Sequence, residues 1–174
     1  MGEKNVLRLT TEPMTVSEYN RSVDDYADNI FRFLMGNLKQ KEMAEDIVQD
    51  TYEKLWIKRE TVSYEKVKTY LFTTAYHTMI DRLRKERRMI SMEESGASEN
   101  PVEMVSPDIN KVLHEILNKL PTDQKAVILL RDYEGYSYKE IGEITGQSES
   151  QVKINIFRGR KFLKNYIGSI EVLI

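Results

Sequence analysis

The residue types that carry covalent chemistry are almost absent from this 174-residue chain, which has no cysteine and only two histidines, His77 and His114, far apart and without partners at ligand spacing. Disulfides and thiolate metal sites are excluded, and metal chemistry is not expected. No carboxylate pair, metal cluster or base-activated nucleophile falls at a catalytic spacing, so the chain reads as a non-enzyme without cofactor or small-molecule substrate. What remains is the chemistry of charge and of outward-facing apolar groups, concentrated in "SQVKINIFRGRKFLK", residues 150–164. A helical repeat places Val152, Ile156, Gly159 and Leu163 on one stripe, an ordinary buried face. Ile154, Phe157, Arg158 and Lys161 then crowd the opposite face, where apolar groups among cations lose free energy to water. A DNA major groove would resolve that cost. Arg158 can reach guanine or phosphate, Lys153 and Lys161 can hold backbone, Ile154 and Phe157 can lie on thymine methyls or deoxyribose, and Asn155 can add an adenine contact. The competing reading covers Ile154 and Phe157 with protein, Phe157 being the more core-like of the two.

The net charge of −2 argues against a nucleic-acid partner only if charge is spread evenly, and it is not. Residues 58–88 hold nine cations against four acids, and residues 148–164 hold five cations against Glu149 alone. Between them, "SMEESGASENPVEMVSPDIN", residues 91–110, holds five acids and no cation. Two basic segments flanking an acidic tether suggest two contacts with a polyanion.

The elements that must position these groups are all helical. Apolar residues recur at helical spacing, while no apolar run approaches the roughly 20 residues of a membrane span, and the amino terminus lacks a signal-peptide core. The chain is therefore expected to be cytoplasmic, with no direct membrane insertion. Thr15 and Glu18 form a capping-box pattern ahead of a helix through Leu38. A second helix carries Ala44, Ile47, Val48, Thr51, Tyr52, Leu55 and Trp56 on one side and Glu45, Asp46, Gln49, Asp50 and Glu53 on the other. That acidic face repels phosphates and suits a basic protein surface. A third helix, about Val67 to Arg88, has Leu71, Ala75, Thr78 and Leu83 inward. Its Lys68, Arg82, Arg84, Lys85, Arg87 and Arg88 can neutralise backbone, and its Tyr70, Phe72 and Tyr76 can stack on unpaired bases or serve as core.

Helical periodicity fails in the acidic stretch, whose Ser, Gly, Asn and Pro content suits a linker. Beyond it, "INKVLHEILNKL" ends at Pro121, and the next helix takes Thr122 as cap and Gly135 as stop. "SYKEIGEITGQSESQVKINIFRGRKFLK" then reads as helix, turn, helix, with Gly146 in the turn, Ser148 as cap and small Gly142 at the helix crossing. The fold class is all-α: two small helical domains joined by a flexible acidic linker, the second containing a helix-turn-helix. The expected boundaries are an amino-terminal tail at 1–14, a first domain at 15–90, the linker at 91–107 and a second domain at 108–174.

From about Tyr19 to Ile167 the chain resembles an extracytoplasmic-function (ECF) sigma factor, the small two-domain class of bacterial transcription initiation factors. "AEDIVQDTYEKLW" is similar to the polymerase-binding segment of region 2, and "VKTYLFTTAYHTMIDRLRKERR" to the helix that faces the minus-10 element. "LNKLPTDQKAVILLRDYEGYSYKEIGEITG" followed by "SESQVKINIFRGRKFL" resembles region 4, which reads the minus-35 element. The resemblance implies three partners: RNA polymerase core enzyme, promoter DNA and an anti-sigma factor. Asp46, Gln49, Asp50 and Glu53 would meet the clamp helices of the polymerase large subunit. The minus-10 set would be Lys58, Arg59, Ser63, Tyr64, Lys66, Lys68, His77, Arg84, Arg87 and Arg88, with the loop from Lys58 to Lys66 receiving a flipped-out base and so nucleating melting. The minus-35 set would be Ser148, Ser150, Gln151, Lys153, Ile154, Asn155, Phe157, Arg158 and Lys161. Tyr70 stands where the family commonly has Trp, Thr73 and Tyr76 where basic residues are frequent, and His77 where Asn is usual, departures that bear on minus-10 preference. The acidic linker resembles RNA in charge and could thread the path of the transcript. A stand-alone helix-turn-helix regulator is the alternative; it would have no use for the acidic helix.

Overall fold

The computed structural model describes residues 12–92 and 109–171, which are helical throughout their regular structure. Helix α1 (Val16–Asn37) starts at the expected reciprocal cap: the Glu18 N–H donates to Thr15 Oγ1 at 3.1 Å and the Thr15 N–H donates to Glu18 Oε2 at 2.9 Å. Two amides that a helix start leaves bare are thereby satisfied. Met14, expected in a tail, is buried, and its N–H donates to Arg59 O at 2.9 Å, joining the entry of α1 to the end of α2 (Lys41–Lys58). A 3₁₀ turn at Tyr64–Lys66 leads into α3 (Val67–Met92), which runs two residues into the segment expected as linker. The rest of that segment lies outside the described residues. Ile30, Leu34, Ile47, Leu55, Leu71 and Met79 are fully buried between these three helices.

The carboxy-terminal half comprises α4 (Ile109–Leu117), α5 (Thr122–Ile128) with a π turn at Leu129–Tyr133 continuing it, α6 (Tyr138–Thr145) and α7 (Glu149–Glu171). Thr122 is not the cap of α5. Pro121 holds that place, its extended backbone offering a carbonyl to the Lys125 N–H at 3.0 Å. Gly135 and Gly146 end their elements at φ +73° and +74°, the left-handed conformation that the turns require.

Gly142 faces the turn so closely that a Cβ there would stand 2.7 Å from the backbone O of Gln147, whereas a Cβ on Gly159 would meet the tip of Ile128 at 2.5 Å. Backbone cannot yield as a methyl can. Gly142→Ala is therefore expected to destabilise by about 1–3 kcal/mol and Gly159→Ala by less, read as the shift in urea midpoint at constant m-value.

The two halves share one apolar core. The Phe72 ring of α3 lies edge-on between Phe33 of α1 at 5.7 Å and Tyr136 at 5.4 Å. Phe72 and Tyr76, which the sequence allowed as base-stacking groups, are both buried, so packing takes them. Lys125, the one buried cation among the described residues, donates across the junction to Asn37 O and within its own half to Asn118 Oδ1, each at 3.0 Å.

Burial, with Lys39 nearby, lowers the Lys125 pKa to about 8. A lysine whose folded pKa is depressed binds fewer protons folded than unfolded once pH exceeds the folded value, so stability rises with pH there. Burial raises the phenols of Tyr52, Tyr76 and Tyr136, which has the opposite sign above about pH 10. The urea midpoint is expected to climb from about pH 8 to about pH 10 and fall beyond. Lys125→Met should abolish the climb and leave the fall.

Candidate nucleic-acid and polymerase interfaces

Helix α7 is held by its predicted stripe: Val152, Ile156 and Gly159 are buried and Leu163 half-buried. Its amino end is fixed by a second kind of reciprocal cap, the Gln151 N–H donating to Ser148 Oγ at 3.2 Å and the Ser148 N–H to Gln151 Oε1 at 2.8 Å. Helix α6 is capped the same way by Ser137 and Glu140, a pattern the sequence reading passed over. With both starts fixed and the turn between them set by Gly146, the orientation of the outer face of α7 follows from the backbone.

On that face Phe157 is 67% exposed and Ile154 48%. The competing reading, which took Phe157 as the more core-like of the two, is corrected: it follows buried Ile156 directly, about 100° further round the helix, and is the more exposed. Ser148, Ser150, Gln151, Lys153, Arg158 and Lys161 are exposed with them, and half-buried Asn155 donates from Nδ2 to Gln147 Oε1 at 2.8 Å. The cations differ in freedom. Lys153 pairs with Glu149 at 3.1 Å and stands over the Tyr138 ring. Arg160 is turned back onto Asp132. Among the described residues Arg158 and Lys161 meet no carboxylate at salt-bridge distance, which leaves both heads open to an external anion.

The second basic surface follows the loop and the outer side of α3. Lys58, Lys66, His77, Arg84, Arg87 and Arg88 are exposed, with Arg84 beside Asp81 at 3.8 Å. Ser63 is half-buried and Arg59 lies across the Trp56 ring at 4.3 Å. The Tyr64 hydroxyl donates to Asp25 Oδ2 at 2.9 Å beneath the Arg21 guanidinium, which anchors the loop to α1. Lys68 departs from the group: its ammonium stands 4.9 Å from the centre of the Tyr136 ring, in the other half of the protein.

The acidic face of α2 is present, but not as four free groups. Asp46, Gln49 and Glu53 are exposed, while half-buried Asp50 accepts from Arg82 of α3 at 2.5 Å and Asp46 lies 3.5 Å from the same guanidinium. Arg82, grouped by sequence with the DNA-facing cations, instead ties α3 to α2. Charge type alone could not show this, since nothing local distinguishes Arg82 from Arg84. No group of His, Asp or Glu able to hold a metal occurs among the described residues, and no helix there is long and apolar enough to cross a membrane.

Residues 23–89 match the family model for sigma-70 region 2, and residues 110–163 match that for sigma-70 region 4. The chain is 29% identical over 158 residues to the ECF RNA polymerase sigma factor SigM of Bacillus subtilis, covering 87% of this chain and 94% of SigM. It is 30% identical over 163 residues to the RNA polymerase sigma factor SigV of the same organism, covering 90% and 93%. Its fold is similar to that of the sigma factor RpoE solved with the anti-sigma factor NepR from Bartonella quintana, with a TM-score of 0.74 at 24% identity over 88% of this chain and 98% of that one.

Proposed function

The chain belongs to the extracytoplasmic-function (ECF) RNA polymerase sigma factors, and from that premise we propose how its surfaces divide promoter selection. A sigma factor binds core polymerase and promoter DNA. In our reading, residues 15–90 form the region 2 domain, residues 108–174 the region 4 domain, and residues 91–107 the link between them. Gln49 and Glu53, with Asp46 and the Arg82-bound Asp50, form the core-binding face. Lys58, Lys66, His77, Arg84, Arg87 and Arg88 hold the minus-10 strands, assisted by Arg59, Ser63, Tyr64 and Lys68. The outer face of α7 reads the minus-35 element.

The observation that carries this assignment is the outer face of α7, where Arg158 and Lys161 stand beside exposed Ile154 and Phe157. An apolar and cationic surface on a helix-turn-helix fits thymine methyls and phosphates together, which water does not. The solved relative bound to NepR supports an anti-sigma factor as the silencing partner of this chain as well. The test is to add the chain to core polymerase on genomic DNA fragments and sequence RNA 5′ ends. Starts that share two upstream elements and vanish without the chain are expected. A chain that shifts such fragments tightly without core would be a stand-alone regulator.

A further inference from the structure

We propose that the hollow bounded by the α1–α2 turn, the end of α3 and the start of α5 is a binding site for a small phosphate-bearing molecule, a ligand class that none of the surfaces described above takes. The site itself does not depend on the sigma-factor reading.

The cavity measures about 350 Å³, at the small end of the range for small-molecule sites. Three cations line it: Lys39 from the turn, Arg87 from α3 and Lys125 from α5. Among the described residues none of the three meets a carboxylate at salt-bridge distance, and Glu86 is the only acid in the lining. Cations set together without a counter-charge repel one another. That repulsion is felt at Lys125, whose pKa is lowered by burial first and by Lys39 second. An anion in the hollow turns the repulsion into charge-assisted hydrogen bonds.

Lys125 is the anchor of the site. It is 5% exposed, and its ammonium donates to Asn37 O and Asn118 Oδ1, each at 3.0 Å, which fixes the head and leaves one of its three N–H donors over. Asn37 lines the same cavity, and its buried Oδ1 has no hydrogen-bond partner. A ligand hydroxyl or a protonated phosphate oxygen suits that acceptor. Helix α2 also begins here: its N-cap, Gln40, lines the cavity and makes no side-chain cap, so the positive end of an 18-residue helix adds to the field. Met43, Leu83 and Leu120 in the lining offer apolar surface to the carbon body of a ligand. The combination favours a phosphorylated metabolite over DNA, because a duplex cannot carry its phosphates down to a side chain as buried as Lys125. Arg87 is shared. An occupant of the cavity draws it away from the minus-10 strands, a consequence that does rest on the sigma-factor reading.

The test is titration calorimetry of the free full-length chain, at constant ionic strength and without metal ions, using inorganic phosphate, inorganic pyrophosphate, adenosine diphosphate and sulfate. Saturable one-to-one binding of pyrophosphate or adenosine diphosphate, about tenfold or more tighter than sulfate, is expected. Lys39→Gln should weaken it about tenfold with an unchanged urea midpoint, since Lys39 is exposed. Lys125→Met should abolish binding, and if that variant does not fold, Lys39→Gln decides alone. Tighter binding of adenosine diphosphate than of pyrophosphate would identify an organic phosphate as the ligand, and equal binding the inorganic anion. Binding no tighter than that of sulfate would mean an adventitious ion only and overturn the proposal, as would the absence of saturable binding. Unchanged affinity in Lys39→Gln would overturn it too, and loss of promoter binding by the holoenzyme of that variant would then make the cluster a DNA contact. The titration contains neither polymerase nor promoter, so failure of the sigma-factor reading leaves its result untouched.

Discussion

Replacing Gln49 and Glu53 together by lysine is expected to weaken binding to core polymerase by about two orders of magnitude, close to 3 kcal/mol, while leaving helicity and the urea midpoint unchanged. Both side chains are exposed on α2, so the substitutions bury nothing and break no packing. They take away one negative charge and set two cations on that face against a basic partner, and like charges brought together at an interface cost several kcal/mol. Asp50 is left out of the variant for a structural reason. It accepts the Arg82 guanidinium at 2.5 Å, and a lysine there would set two cations together and loosen α3 from α2. Asp50→Asn is expected to act partly through that loosening and to lower the urea midpoint. Titration of labelled protein with core, at two salt concentrations, checks both: an unchanged Kd for the double lysine variant removes α2 as the core-binding face.

Arg158→Ala is expected to cost about 1–3 kcal/mol at promoters carrying the preferred base and to relax selection at that position, whereas Lys161→Ala should weaken all promoters alike and lower the salt slope by roughly one unit. The two cations are neighbours on one exposed face and meet no carboxylate at salt-bridge distance among the described residues, so a difference between them reflects what each touches on DNA. A planar guanidinium can bond two acceptors on guanine at once, while an ammonium binds phosphate as a point charge. Holoenzyme binding to a minus-35 element mutated base by base separates the cases. Equal losses for both variants on every sequence would show that the face grips backbone only.

How far the sequence carries depends on whether a residue's fate is set within its own helix. The Thr15–Glu18 cap, the Gly135 and Gly146 stops and the Val152, Ile156, Gly159 stripe are local consequences of spacing, and each is found as expected. Phe72 and Tyr76 were legible only as aromatic groups on a helix. Whether they stack on bases or fill a core depends on Phe33, Tyr136 and α7, brought in from more than 35 residues away. Arg82 could not be separated from Arg84 for the same reason, because its partners lie on another helix. The packing of one half on the other was invisible: Gly36 gives no sign in sequence that Leu129 will fill the space beside it.

The caps of the helix-turn-helix have a thermodynamic consequence. Ser148 and Gln151 satisfy each other's backbone amides, Asn155 is held by Gln147, and Ser137 and Glu140 close the start of α6. No residue of the first turn of α7 has to become ordered when DNA arrives. Association of this half with a minus-35 duplex is therefore rigid docking, and its heat-capacity change should match the apolar area buried, without the further negative contribution that accompanies coupled folding. Ser148→Ala would let the first turn fray in the free protein and return that contribution. The side chains at the start of the reading helix thus favour binding by removing an entropic penalty, even where they make no contact with a base.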